Sequence, residues 1–383
     1  MISDYVVRPA SLDDLDAIER LAYEAKLGMT SLPRDRSALH KKLSHSMTSF
    51  GEVITSPNGE LYFFVLEHAL TQTVVGTCKL KSRIGVNDPS MSFQIETLRR
   101  YSPQLDQVVE STLLHPKIEF AGPTEVGGLF VSEAHREKGL GRLLSLSRFM
   151  FLAMHRERFS NEAMAEMRGV ITEDGNSPFW DAVGAHIFGI DFHQADYLAA
   201  VDRTFIRDLL PHFPIYVDLL PVGARNVIGT THRDTEPAMR LLQHEGFAMT
   251  RLIDVFDAGP KVACPVSEIR TVRDARYAPV GAIISEMDHH LVEGNHGDEP
   301  LFLISNGKLN EFRCSVGYLD VDGDAVNLPR HYSNLLNLTI EDMVWFSPMF
   351  PNSFLRRFAK WYSKVPITSG DVGSSEKANR LNR

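Results

Sequence analysis

The feature that most constrains this chain lies between residues 125 and 152. Val126-Gly127-Gly128-Leu129-Phe130-Val131 is apolar enough for a central strand, and its two glycines permit a bulge or the close approach of another backbone. A polar turn follows, then Arg136-Glu137-Lys138-Gly139-Leu140-Gly141-Arg142, then Leu143, Leu144, Leu146, Phe149, Met150 and Leu152. That last series suits a buried helix, so the glycines fall at its start. There they let the backbone bend tightly and turn unbonded N–H groups toward an anion, with Arg136, Lys138 or Arg142 adding charge. A plain structural turn accounts for the same spacing. The segment is neither a Gly-x-x-x-x-Gly-Lys-Ser/Thr loop nor a Gly-x-Gly-x-x-Gly fingerprint, which counts against ATP and NAD.

The flanking sequence alternates strand and helix. Residues 5–9 alternate like a strand and run into Ser11, a helix cap that Asp14 answers three residues on. Leu15, Ile18, Ala22 and Ala25 then give one apolar helical face. Residues 62–67 and 74–80 read as a hairpin, and residues 163–169 as a further strand. Ser177-Pro178-Phe179-Trp180 opens a helix with proline in its first turn. Residues 236–245 form a helix stopped by Gly246. From 262 to 346 short alternating runs are broken by Asn306-Gly307, a hairpin signal, and by Asp322-Gly323-Asp324 and Leu328-Pro329. The expected organisation is an α/β domain over residues 1–257, a smaller β-rich domain over 258–349, and a basic, partly flexible tail over 350–383.

A length of 383 residues favours two domains, and a net charge of −9 counts against nonspecific nucleic-acid binding. Residues 1–16 lack a signal-peptide order and no run of 18 apolar residues occurs, so neither export nor a membrane partner is expected. Three dispersed cysteines, Cys78, Cys264 and Cys314, suit a reducing, cytoplasmic setting rather than a disulfide framework. Asp288-His289-His290 carries metal-capable side chains, but adjacent histidines point apart in a strand and no fourth ligand is evident. No metal is assigned.

Arg136-x-x-Gly139-x-Gly141, after an apolar strand and before a helix, resembles the acyl-CoA signature of the GCN5-related N-acyltransferase superfamily. A closer resemblance, over residues 6–346, is to the arginine N-succinyltransferase family. It is carried by Gly28-Met29-Thr30-Ser31-Leu32-Pro33, Ser145-x-Ser147-Arg148-Phe149, Ala165-Glu166-Met167-Arg168-Gly169 and Ser177-Pro178-Phe179-Trp180. Ala195-Asp196-Tyr197, Pro214-Ile215-Tyr216 and Asp254-x-Phe256-Asp257-x-Gly259-Pro260 add to it. The resemblance implies a GCN5-related acyl-CoA N-acyltransferase fold with a smaller β-rich C-terminal domain. It also implies transfer of succinyl from succinyl-CoA, a cosubstrate rather than a tightly bound cofactor, to the α-amine of L-arginine in arginine catabolism. Ornithine or another acyl-CoA is the enzymatic alternative, and a non-catalytic CoA-binding assembly subunit the other. Association with itself or with a paralogous chain is expected.

The resemblance places Leu129, with Val131, at the succinyl-CoA strand, acting mostly through the backbone, and Arg136, Gly139, Gly141 and Arg142 at the pyrophosphate. His232, in Gly229-Thr230-Thr231-His232-Arg233-Asp234, matches the family's proton donor, with arginine in place of the usual following proline. The task suits imidazole, because an ammonium nitrogen must lose a proton before it attacks a thioester and the departing thiolate must gain one. Without the resemblance His232 is one of 15 histidines on a turn. Glu166 and Arg168 are candidates for the substrate guanidinium and the succinyl carboxylate, or are an ion pair with each other. Glu125, at the start of the strand, reads as a solvated loop-end carboxylate.

Overall fold

The computed structural model describes residues 2–25, 31–86, 89–285 and 301–350. The Gly28-Met29-Thr30 part of the first family block, Asp288-His289-His290 and residues 351–383 of the tail lie outside the described residues.

Strand β1 (Tyr5–Pro9) leads through a capping box, in which Ser11 and Asp14 cap each other's backbone, into helix α1 (Leu15–Glu24) and then α2 (Arg36–Gly51). Strands β2 (Leu61–His68) and β3 (Thr73–Lys81) form the expected hairpin. A long hairpin, β4 (Ser90–Ser102) with β5 (Gln107–Glu119), precedes β6 (Thr124–Val131). Helix α3 (Leu140–Met154) and β7 (Glu162–Glu166) follow. An inserted cluster then holds α4 (Ala185–Phe188), α5 (Phe192–Val201), α6 (Thr204–Leu209), β8 (Ile215–Tyr216) and α7 (Val222–Val227). After it come α8 (Glu236–His244), β9 (Ala248–Ile253) and β10 (Pro260–Pro265). The remaining strands are β11 (Arg276–Ile284), β12 (Phe302–Ser305), β13 (Cys314–Gly317), β14 (Asp320–Asp322), β15 (Ala325–Pro329) and β16 (Met343–Pro348).

The strands join one sheet in the order β14-β15-β11-β16-β12-β13-β1-β2-β3-β6-β7-β10-β9-β4-β5-β8. Its stretch β1-β2-β3-β6-β7-β10-β9, with α1 and α2 on one face and α3 on the other, is the GCN5-related N-acyltransferase architecture. Alternation along β3 decides the faces. Cys78 and Leu80 join the core around α3, while Thr77, Lys79 and Lys81 point the other way. Helix α3 is apolar nearly all round because it is covered twice, by β1, β3 and β6 on one side and by β12, β13 and β16 on the other. The β-rich part therefore continues the sheet through β13, paired antiparallel with β1 at Val7 and Cys314.

Two sequence expectations change in detail. Residues 260–265, beyond the expected boundary at 257, form β10 between β7 and β9, because strand edges left unpaired inside a sheet would strand their N–H and C=O groups. Asn306-Gly307 does begin the turn of a hairpin, β12 with β13, but opens an eight-residue connection rather than a two-residue one. The Asn306 side chain holds that loop open, donating to the Glu311 and Leu336 carbonyls and accepting from Lys308 and Arg313 N–H.

Candidate active site

Strands β6 and β7 run parallel but pair only at Thr124 with Ala163 and Glu125 with Met164, then diverge toward their C-terminal ends. The divergence opens a wedge between the backbones of 126–131 and 165–169. At its mouth β6 turns through residues 132–139 into α3. Gly139 caps α3 at φ +73°, a left-handed conformation that costs other residues about 1–2 kcal/mol, and its carbonyl accepts from Arg142 and Leu143 N–H. The N–H groups of Leu140 and Gly141 precede any carbonyl the helix offers, and outside the neighbouring residues and the helix's own backbone no atom of the described residues lies within 4 Å of where a Gly141 Cβ would stand. The loop thus presents open donors at the positive end of a helix.

The strand itself is bulged. Pairing with β3 slips between Thr77 and Lys79, and Gly128 takes φ +63°, where an added Cβ would lie 2.9 Å from Lys79 Cγ. Arg148 of α3, almost wholly buried, reaches back to donate to the Gly127 carbonyl at 3.2 Å and to Ser145 Oγ at 2.8 Å. That contact explains the Ser145-x-Ser147-Arg148 block as a brace for the bulge. Beyond it, Leu129 packs on the α3 core and Val131 is buried there, so both side chains are taken up by the core. Arg136 folds back, its Nε donating to the Val131 carbonyl at 3.1 Å and its guanidinium 5.7 Å from the Phe130 ring. Arg142 lies 4.9 Å from the Phe350 ring and is half-buried.

Around the closed end of the wedge, on the α2 face, charged groups from seven segments converge. Lys79 Nζ bonds Glu125 Oε1 at 2.7 Å, and Lys261 Nζ, with no side-chain exposure, bonds Glu166 Oε1 at 2.6 Å. Glu166 therefore pairs with Lys261 and not with Arg168. Burial opposes the charge on Glu125, but Lys79, Lys81 and Arg203 hold it down to about 2, so it is ionised and enclosed rather than solvated. Burial raises Asp254, with Glu166 adding to the rise. On α2, burial pushes Lys42 down to about 7, and repulsion from Lys79 and Arg203 works the same way. Sequence reading passed over Lys42, Lys79, Arg203 and Lys261, which stand singly in unremarkable contexts.

His232 is brought to the far side of the wedge by a relay of backbone bonds. Asp257 accepts Gly169 N–H and Gly259 N–H, both at 2.8 Å, and so ties the end of the β7 segment to the β9–β10 turn. Gly229 N–H donates to the Ala258 carbonyl and His232 N–H to the Arg168 carbonyl at 2.8 Å. The His232 ring is largely buried, and its Nδ1 accepts Asp234 N–H at 3.1 Å. Arg168 is half-buried and its Nε has no hydrogen-bond partner among the described residues; burial lowers its hold on the proton, and Asp257, Asp234 and Asp196 offset that only in part. Trp180 anchors the inserted helices beside this turn, sandwiched between Phe188 and Phe256 at 5.2 and 5.3 Å. Two surface concavities lie apart from these groups. One, about 460 Å³, lies between Arg8, Met47 and Phe312, and one, about 330 Å³, between Glu24, Ser132 and Arg136, beside the loop.

Among the described residues no group of three or more His, Cys, Asp or Glu could hold a metal ion, and no helix is long and apolar enough to cross a membrane.

The family model described as arginine N-succinyltransferase beta subunit matches residues 5–271. An arginine N-succinyltransferase from Enterobacter sp. (strain 638) is 37% identical over 315 residues, which cover 81% of this chain and 88% of that one. One from Escherichia coli O139:H28 is 36% identical over 319 residues, covering 82% and 89%. The solved structure of arginine/ornithine succinyltransferase subunit AI from Pseudomonas aeruginosa superposes with a TM-score of 0.80 at 30% identity, covering 91% of this chain and 99% of that one.

Proposed function

The chain belongs to the arginine N-succinyltransferase family, and from that premise we propose that it transfers the succinyl group of succinyl-CoA to the α-amine of L-arginine, giving N2-succinyl-L-arginine and free CoA. The observation that carries this reading is the β6–β7 wedge, with open N–H donors at its mouth and His232 tied to its far wall. In it, the loop donors around Gly139 and Gly141 hold the CoA pyrophosphate, Arg136 and Arg142 add positive charge, and the pantetheine lies along the backbone of Leu129 and Val131. A backbone N–H at the Gly128 bulge is fixed before charge develops and so serves the tetrahedral oxygen cheaply.

Once the α-ammonium has lost a proton to solvent, its nitrogen attacks the thioester carbon. The C–N bond forms, the C–S bond breaks, and the electron pair leaves with sulfur, which takes a proton from His232, while the proton shed by the attacking nitrogen restores the imidazole. Acceptance of Asp234 N–H at Nδ1 favours the tautomer with its proton on Nε2, the arrangement a donor needs. Glu166 faces the guanidinium and Arg168 a substrate carboxylate, an assignment supported by the unpartnered buried Nε of Arg168. A cytoplasmic setting, a division into a catalytic part and a smaller β-rich part, and assembly with itself or a paralogous chain belong to the same proposal.

Ornithine is the second acceptor reading, favoured by the similarity to the arginine/ornithine succinyltransferase subunit of Pseudomonas aeruginosa. Mass-resolved product formation from the purified protein tests both, with succinyl-CoA and either L-arginine or L-ornithine, and acetyl-CoA as acyl control. Arginine heavier by one succinyl group is the expected result, and no product from any pair overturns it.

A further inference from the structure

A guanidinium enclosed by protein without a hydrogen-bonded partner is costly, and the wall beside His232 holds one. Arg168 is half-buried, and its Nε is shut off from solvent with no hydrogen-bond partner among the described residues. Backbone bonds fix its place. The Arg168 carbonyl accepts His232 N–H at 2.8 Å, and the next N–H, of Gly169, goes to Asp257. Met167, just before it, is buried in the core around α3, and its N–H still bonds the Pro260 carbonyl. The alternation of β7 therefore continues and puts Arg168 on the face of Glu166, which looks away from α3. We propose that Arg168 recognises the α-carboxylate of the acceptor, so that the site takes free α-amino acids and rejects acceptors whose carboxylate is amidated, as at the N-terminus of a peptide. The proposal rests on the functional reading above and chooses between the two substrate carboxylates that reading leaves open.

The order of bonds in the substrates selects this carboxylate. His232 serves the sulfur that leaves the thioester carbon, and the attacking nitrogen joins that same carbon. The acceptor's α-carboxylate hangs on the carbon that carries this nitrogen, whereas the free succinyl carboxylate stands two methylenes beyond the thioester carbon. The α-carboxylate is thus the anion tied more closely to the point His232 serves, and Arg168 is the enclosed cation whose backbone is bonded to His232. Arg233, next to the histidine in sequence, is mostly exposed and lies 3.9 Å from its own neighbour Asp234. Burial works against the Arg168 charge, and a carboxylate set across its planar fork offsets that penalty.

L-Argininamide keeps the α-amine and the guanidinium and replaces the carboxylate with a neutral amide, which makes it the comparison acceptor. Its additional net positive charge is drawn more strongly by Asp257, Asp234 and Asp196, so a preference for arginine reports the contact and not the field of the site. Calorimetric affinities of the full-length protein for L-arginine and L-argininamide, with free CoA saturating, are to be measured for wild type, Arg168→Met and Arg168→Lys. Affinities for succinyl-CoA and butyryl-CoA are measured beside them. Wild type is expected to prefer arginine by about 100-fold or more, because a ligand that leaves a buried polar group unpaired is rejected. Arg168→Met is expected to bring the two acceptors within about 5-fold by weakening arginine, and Arg168→Lys to restore part of the gap. Equal wild-type affinities overturn the proposal without any variant, so a variant that fails to fold does not shelter it. Equal weakening of both acceptors in Arg168→Met, the result of a merely structural arginine, overturns it too. So does an unchanged preference for arginine in a variant that no longer prefers succinyl-CoA to butyryl-CoA, which assigns Arg168 to the acyl carboxylate. A preference for arginine in binding with no succinylarginine in the transfer assay defeats the functional reading alone, and succinylarginine with equal affinities for the two acceptors defeats this inference alone.

Discussion

Asp257 offers a test of how the site is held together, because one carboxylate joins the end of β7 to the β9–β10 turn and does so under electrostatic stress. Its oxygens accept Gly169 and Gly259 N–H, yet burial, with the Asp254 carboxylate adding to it, raises the carboxyl from 3.8 to about 7. In the pH range between those values the native protein keeps a proton that the unfolded chain has released. The stability contributed by that proton is complete below about pH 4 and is lost as pH rises through about 7. Asp257→Asn cannot titrate. Relative to that variant, the wild type therefore loses stability across about two pH units from 5 to 7, at 1.36 kcal/mol per unit, or about 3 kcal/mol by pH 8. Urea unfolding at pH 5 and pH 8, at one ionic strength, measures the change. Trp180 is the natural fluorescence reporter, stacked on Phe256 beside the carboxyl. A gap between the two proteins that stays constant within about 0.5 kcal/mol, or that grows in favour of wild type with pH, refutes the reasoning, since Asp257 would then be ionised when folded at pH 5.

His232→Ala should lower the single-turnover succinyl transfer rate by about 100-fold or more while leaving succinyl-CoA affinity in place; an unchanged rate removes the histidine from the chemistry. Gly139→Val forces a β-branched residue into φ +73° at the helix start, so succinyl-CoA affinity should fall, and an equal dissociation constant by calorimetry rejects the phosphate placement. Glu245→Ala should destabilise the protein by about 3–5 kcal/mol, read from urea midpoints. Glu245 accepts from the Arg270 guanidinium and from Thr271 N–H, and Arg270 donates to the Pro348 carbonyl, all buried, so the variant strands a cation between the α8 corner and β16. A cost below about 1 kcal/mol would show that water reaches that pair.

Local features were readable from the chain. The capping box at Ser11 and Asp14, the β2–β3 hairpin, the bulged strand at Gly127-Gly128 and the glycine turn into α3 each lie within a few residues, where backbone sterics and periodicity act directly. The family blocks were visible as strings, but their work was not. Arg148 braces the Gly127 carbonyl 21 residues away, and Asp257 holds Gly169 at a separation of 88. The strand expected over 163–169 ends at Glu166, with Met167 N–H still donating to the Pro260 carbonyl opposite it. Glu125 reads in sequence as a solvated carboxylate at a strand start; enclosure by Lys79 makes it part of the wedge. The β4–β5 hairpin, half of it beyond any third strand, carried no motif at all.

The sequence by itself determined the α/β order, the glycine turn before an apolar helix and the family to which the chain belongs, since each depends on neighbours in the chain or on an ordered set of short strings. Only the tertiary structure decided which charges meet. Lys42, Lys79, Glu125, Glu166, Arg203, Asp254 and Lys261 stand on separate elements with no common spacing, and only the folded chain brings them near one another. Electrostatic energy depends on distance through space and on burial, neither of which is written in the interval between two residues along the chain.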